Sequence, residues 1–277
     1  IAERQKHQGI IGVRTGVHAL DTLTCGFLPG ELVILGADPG SGKSALAVQA
    51  GLTLCIDEGG TCLDCSLEMG QRMIAERALA HLAEVNSYNL RRGKVSIDDW
   101  RELYRVGKIL QALDFYTETK ATTVREFGAR ARVWRARHPR RKGVGVFDFL
   151  QLAASSGNGN TRAERVGQDA RDLKALAGEL EVPIFGVSSL SRKPKDVAKQ
   201  PPEMADLKES GDIDYAADFV ILIWNRDRTK DGPVTFVMAK NRNSPAGEHV
   251  EGHWIGRHYR FADIGYEPPQ QQALQIA

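Results

Sequence analysis

The chain has 277 residues, of which 42% are hydrophobic and 26% charged, with a formal net charge of +2. That length and apolar content suit one large α/β domain, or at most two small ones, around a sizeable core. The charge balance excludes a polyanion partner held by overall charge, so nucleic acid must be met by local clusters; no apolar run approaches a membrane span.

Residues 1–12 read as a linker segment. Ile1–His7 is polar and carries no signal-peptide core, and a start at Ile1 rather than Met points to a piece of a longer protein. Glu31–Leu35 is a short apolar run ending in a Gly-rich turn, a buried strand followed by a helix from about Gly42 to Leu54. Thr61–Ser66 reads as a second strand. It carries Cys62 and Cys65, two of four cysteines with Cys25 and Cys55. No second Cys/His pair follows at ligand spacing, so this C-x-x-C reads as small buried strand residues rather than a zinc or redox site. Without a disulfide framework the expected location is cytoplasmic. Gln71–Leu82 has helical apolar spacing. Ser96–Leu113 is another helix, opened by Ser96 and the acidic pair Asp98 and Asp99, and Phe115–Thr117 is a short strand. Thr123-Val-Arg-Glu126 forms a capping box that starts a helix to about Arg137.

Gly143–Asp148 is a strand ending in an acid, and residues 155–160 form a flexible loop. Arg162–Glu181 is a helix, Val182–Ser188 a strand and Lys193–Pro202 a Lys/Pro-rich loop. Phe219–Trp224 and Val234–Lys240 are two more strands, with a hairpin in the Gly-rich segment beyond. The main domain is read as 13–265 and residues 266–277 as a tail. Strands alternating with helices, then strands in succession, give an α/β fold: a mostly parallel twisted sheet flanked by helices, with an antiparallel extension at one edge. The basic run Arg130, Arg132, Arg135, Arg137, Arg140, Arg141 and Lys142 reads as a solvated face.

Ala37-Asp38-Pro39-Gly40-Ser41-Gly42-Lys43-Ser44 lies between a strand and a helix, the context a phosphate-binding loop requires. Gly40 and Gly42 let backbone N–H groups converge on phosphate oxygens, and the helix start at Ser44–Ala45 adds its positive end. Lys43 would reach the β- and γ-phosphates of ATP, and the Ser44 hydroxyl would bind Mg²⁺. The first position is Ala37 rather than Gly, with Gly36 beside it. Asp148, ending an apolar strand, is the second metal-orienting acid. Glu68, just past the Thr61–Ser66 strand, stands in the place of a general base, or equally of a helix-start acid.

From about Thr15 to Phe261 the sequence resembles the C-terminal, RecA-like motor domain of the DnaB replicative helicases. Val13-Arg-Thr-Gly-Val-His-Ala-Leu-Asp21 looks like the motif that precedes the family's P-loop. Ser66-Leu-Glu-Met69 matches the motif whose Glu activates water, which favours Glu68 as the base. Phe147-Asp-Phe-Leu-Gln-Leu152 looks like the family's Asp-Tyr-Leu-Gln-Leu. Asp206-Leu-Lys-Glu-Ser-Gly211 is similar to its Asp-Leu-Arg-Glu-Ser-Gly loop, and Lys240-Asn-Arg-Asn-Ser-Pro-Ala-Gly247 to its Lys-x-Arg-Asn-Gly-Pro-x-Gly. The resemblance implies a homo-hexameric ring with ATP at each subunit interface, translocating 5′-to-3′ on single-stranded DNA and unwinding duplex during replication. Lys240 and Arg242 would act on the neighbour's nucleotide, Arg242 as an arginine finger, since two cations just past an edge strand are badly placed for their own P-loop. Lys208, Glu209 and Gly211 would face DNA in the channel; the loops 155–160 and 193–199 are further channel candidates.

Two departures stand out. Ser189 occupies the place of the Gln that senses the γ-phosphate in the family, and Lys208 replaces an Arg, keeping charge but losing the planar fork. The family's N-terminal region, which binds primase or a loader, has no counterpart in Ile1–Gln8. A RecA/RadA-like recombinase using ATP as a switch, and a small-molecule P-loop kinase, are the competing readings. The recombinase requires an N-terminal polymerisation segment; the kinase requires an arginine-bearing lid over its own site and no Lys240/Arg242 pair acting across an interface.

Overall fold

The computed structural model describes residues 10–153, 161–191, 200–207, 210–226, 231–243 and 247–266. In chain order the elements are α1 (His18–Thr24), β1 (Leu32–Ala37), α2 (Lys43–Asp57), β2 (Thr61–Ser66), α3 (Gln71–Ala83), α4 (Ser87–Arg91), α5 (Ile97–Ala112) and β3 (Phe115–Glu118). Then follow α6 (Val124–Arg137), β4 (Gly143–Asp148), α7 (Arg162–Leu180), β5 (Ile184–Ser189), α8 (Ser210–Ala216), β6 (Phe219–Trp224), β7 (Asp231–Asn241), β8 (His249–Ile255) and β9 (Arg260–Ala262).

The uninterrupted apolar runs of β1, β4 and β6 are possible only because both faces of the sheet are covered. Side chains alternate between two cores: Leu32 and Ile34 enter one, with α6 and α7, while Val33, Leu35 and Ala37 enter the other, under α2. The strands run β3-β2-β4-β5-β1-β6-β7-β8-β9. Pairing from β3 through β6 is parallel and from β6 onward antiparallel, so the expected sheet class and extension are what the chain adopts. Cys62 and Cys65, three residues apart on β2, fall on opposite faces and into separate cores.

Three expectations need correction. β7 is not an edge strand, because β8 and β9 lie beyond it. The Thr123 capping box is only half formed: the Thr123 hydroxyl accepts from Glu126 N–H at 3.1 Å, but the Glu126 carboxylate turns to Thr122, taking its N–H at 2.7 Å. Complete boxes occur instead at Ser96/Asp99 and Thr161/Glu164. The short helices α1, α4 and α8 have no counterpart in the sequence reading, being too brief to show a period. α1 is held from a distance, with Asp263 accepting from His18 and Ala19 N–H at 3.0 and 2.9 Å.

The basic run is largely neutralised. Arg132 forks onto Glu179 at 2.6 and 2.7 Å, Lys142 meets Glu58 at 2.6 Å, and Arg141 pairs with Asp114. Among the described residues no helix is long and apolar enough to cross a membrane.

Candidate nucleotide site

The parallel strands end side by side, and their C-terminal ends gather the candidate residues. Ala37 pairs in register with Ser189, and Ser66 with Asp148. Between β1 and α2 the chain turns through two left-handed glycines, Gly40 at φ 83° and Gly42 at φ 88°, conformations that cost an L side chain about 1–2 kcal/mol. Gly42 is also sterically required: a Cβ there would lie 2.6 Å from the Phe261 ring and 2.9 Å from that of Trp254. The antiparallel extension therefore packs directly behind the loop. Asp38, Ser41 and Lys43 line the turn, with Ser41 N–H donating to Asp38 C=O at 3.2 Å; Pro39 and Gly40 are exposed and Ala45 is buried. The Lys43 ammonium lies 5.9 Å from the Phe149 ring centroid.

Asp148 is buried beside Ser44. Burial raises its pKa above the ordinary carboxylate range, against the pull of Ser44 and Lys43. Its Oδ1 is buried with no hydrogen-bond partner among the described residues. Glu68 is exposed on the bend after β2, close enough to Asp148 to raise that group's pKa further. The bend is tied down by Leu67 N–H to Asp148 C=O at 2.7 Å and Met69 N–H to the Ser66 hydroxyl at 3.1 Å. This donor set fits Mg²⁺ carried by a nucleotide: hard oxygens, one orphaned, with no group of three His, Cys, Asp or Glu among the described residues to cage an ion unaided. Most ligands would then be phosphate and water.

Ser189 is half-buried beside Ala37, its N–H donating to Gln151 Oε1 at 3.2 Å, while Gln151 Nε2 donates to the Ser188 hydroxyl at 2.7 Å. Gln151 thus ties the exit of β4 to the exit of β5. The next residues lead toward the candidate DNA loop: Ser191 N–H donates to Asp206 C=O at 2.7 Å, and Leu190 bridges Leu207. Lys208 and Glu209, with the loops 155–160 and 193–199, lie outside the described residues; Gly211 is exposed in the first turn of α8.

Lys240 and Arg242 do not join this cluster. β7 runs antiparallel to β6, so its last residue, Asn241, pairs with Phe219 at the start of β6, and Arg242 N–H donates to Asp218 C=O at 3.0 Å. That is the Leu32 end of β1, and Leu32 to Ala37 at about 3.3 Å per residue is roughly 16 Å. Lys240 meets Asp214 at 3.3 Å.

One residue the sequence reading passed over belongs with the cradle. Arg77, on α3, stacks on Tyr259 at 4.6 Å; its Nε is buried without a hydrogen-bond partner among the described residues, and its charge acts on Asp148. Nearby, burial and Arg260 push His81 down to a pKa of about 4. Only the position of Arg77, nine residues past Glu68, hinted at it.

A family model described as DnaB-like helicase C terminal domain matches residues 12–263. The replicative DNA helicase DnaB of Leifsonia xyli is 34% identical over 95% of this chain and 58% of its own length. That of Geobacillus stearothermophilus is 32% identical over 92% of the chain and 57% of its own length. The chain thus spans less than two thirds of these curated relatives. Among solved structures, the ATPase domain of G40P superposes with a TM-score of 0.85 at 25% identity, covering 95% of each chain. A DnaB-like replicative helicase, described with its interactions with primase, superposes at 0.87 and 26% identity over 95% of this chain and 64% of that one.

Proposed function

Because the chain belongs to the DnaB-like helicase C terminal domain family, we propose that it is the ATP-hydrolysing motor of a replicative DNA helicase, working as a homo-hexamer on single-stranded DNA. The motor unit is taken as residues 13–265. The observation that carries this reading is the distance between the cradle and Arg242. Asp148, Ser44, Lys43 and Glu68 converge at one end of the sheet, while Arg242 sits beyond reach at the other. A finger at that distance serves a phosphate only on another subunit.

In this reading Lys43 and the backbone of 38–45 grip the triphosphate, and Ser44 and Asp148 hold Mg²⁺. Bound there, the ion would supply neutralising charge to the phosphates. Glu68 aligns water and accepts its proton, and Ser189 stands beside the γ-phosphate. Lys240 and Arg242 of the adjoining subunit stabilise the charge that develops. Lys208, Glu209 and Gly211 hold the DNA backbone without reading sequence, and the strap from Leu190–Ser191 to Asp206–Leu207 links that loop to the γ-phosphate side. A cytoplasmic location, a loader, and contacts with primase such as those named for the solved relative complete the proposal.

The test is turnover with and without single-stranded DNA, alongside the mass of the assembly. Arg242→Ala should cut turnover by about a thousandfold or more, and mixing it with Lys43→Ala subunits should restore part of it. Near-normal turnover in assembled Arg242→Ala protein would falsify the interface role.

A further inference from the structure

Arg242 is held before any neighbour arrives. Its Nη1 meets Asp218 Oδ1 at 2.9 Å, with half the arginine side chain exposed and the aspartate 6% exposed. Asp218 is built into the fold. Its Oδ2 accepts from Leu32 N–H at 2.8 Å and from Lys174 Nζ at 2.6 Å, and its N–H donates to Leu32 C=O at 2.9 Å. Lys174 in turn donates to Gly30 C=O at 2.7 Å. The following residue is also anchored: Asn243 N–H donates to Asn241 Oδ1 at 2.9 Å, and its amide to Glu31 Oε1 at 3.3 Å.

A fully exposed ion pair is too weak to hold a long side chain in one pose. Here the acid is immobile, and Lys174 with Leu32 N–H already satisfies its other oxygen, so the fold does not need Arg242 to neutralise a buried charge. The arginine is the partner that gains. A guanidinium carries five N–H donors in a fixed fork, so a bond through Nη1 leaves donors for a phosphate.

Resting on the trans reading of Arg242 above, we propose that Asp218 is the positioning residue for the interface arginine: it fixes the guanidinium at the Leu32 end of β1. The strand that bears a subunit's own phosphate cradle then bears, at its opposite end, the cation lent to the next subunit.

A double-mutant cycle of Asp218→Asn and Arg242→Ala tests this, read as kcat, KM for ATP and Tm. Asp218→Asn keeps an acceptor for Leu32 N–H but removes the charge that orients Arg242. It should lower kcat about ten- to a hundredfold, the scale of a group misplaced by about 1 Å, with KM within about twofold. The double variant should turn over no slower than Arg242→Ala alone. Lys43→Ala subunits, whose fingers are intact, should partly rescue Asp218→Asn subunits on mixing. Wild-type kcat in Asp218→Asn, while Arg242→Ala collapses, overturns the positioning role and spares the trans reading. So does a loss that simply adds to that of Arg242→Ala. Near-normal turnover in Arg242→Ala overturns both. Should Asp218→Asn not fold, as Tm will show, Asp218→Glu, which displaces the carboxylate by one methylene, takes its place in the same cycle with the same outcomes.

Discussion

The two ends of β1 are opposites in how their polar groups are satisfied. At the Ala37 end, Asp148 Oδ1 and Arg77 Nε are buried without partners among the described residues, and two glycines hold left-handed turns. At the Leu32 end, Asp218 collects Leu32, Lys174 and Arg242. Unpaired buried polar groups cost free energy unless something completes them. The first end is thus shaped for a ligand, and the second for standing by itself.

The strongest way to break this contrast is to strip the cradle. Lys43→Ala should abolish ATP binding or turnover, whereas Glu68→Ala should leave binding intact and slow hydrolysis by about 10²–10⁴-fold, the usual worth of a general base. Nucleotide titration beside steady-state turnover separates the two, and equal loss of binding in both would return Glu68 to a structural role. Next in size are the glycines. Gly42→Ala meets both a left-handed φ and the Phe261 and Trp254 rings, and should cost about 2–4 kcal/mol. Gly40→Ala, with nothing within 4 Å of its Cβ, should cost only about 1–2 kcal/mol. Urea unfolding measures both, and equal losses would deny that the aromatic pair backs the loop.

A pH-dependent effect sharpens the comparison. Asp64 on β2 is buried with Oδ2 unpartnered among the described residues, and burial, then Asp148, raise its pKa to about 8. The folded chain keeps that proton while the unfolded chain sheds it near 3.8. Stability tied to this group is therefore full below about pH 3.8 and drains away as pH rises toward 8. Asp64→Asn should gain Tm over the wild type progressively across that window; a gap independent of pH would refute the assignment.

What could be read in advance follows from range. Covalent spacing writes the phosphate loop into eight adjacent residues, and the apolar runs of β1, β4 and β6 declare strands buried on both faces. The Ser96 cap was equally local. Thr123 shows where locality fails: Glu126 had a second acceptable donor one residue earlier, and only the folded turn chose between them. Arg77 and Asp218 were opaque for another reason. One sits mid-helix and the other before a strand, and neither position says which distant ring or guanidinium it will meet. β7 was misplaced at the edge because β8 and the three-residue β9 beyond it lie in a Gly-rich segment without a long apolar run.

One buried amide has a consequence for how copies of this chain can meet. Among the described residues β9 is the last strand of the sheet, and such margins ordinarily invite foreign strands to add on. Gln49, reaching out from the phosphate-loop helix, takes Phe261 N–H at 2.8 Å and gives to its C=O at 3.0 Å. That margin is stoppered from within, so crowding would not splice one molecule's sheet to another's there, and aggregation by strand capture loses a foothold.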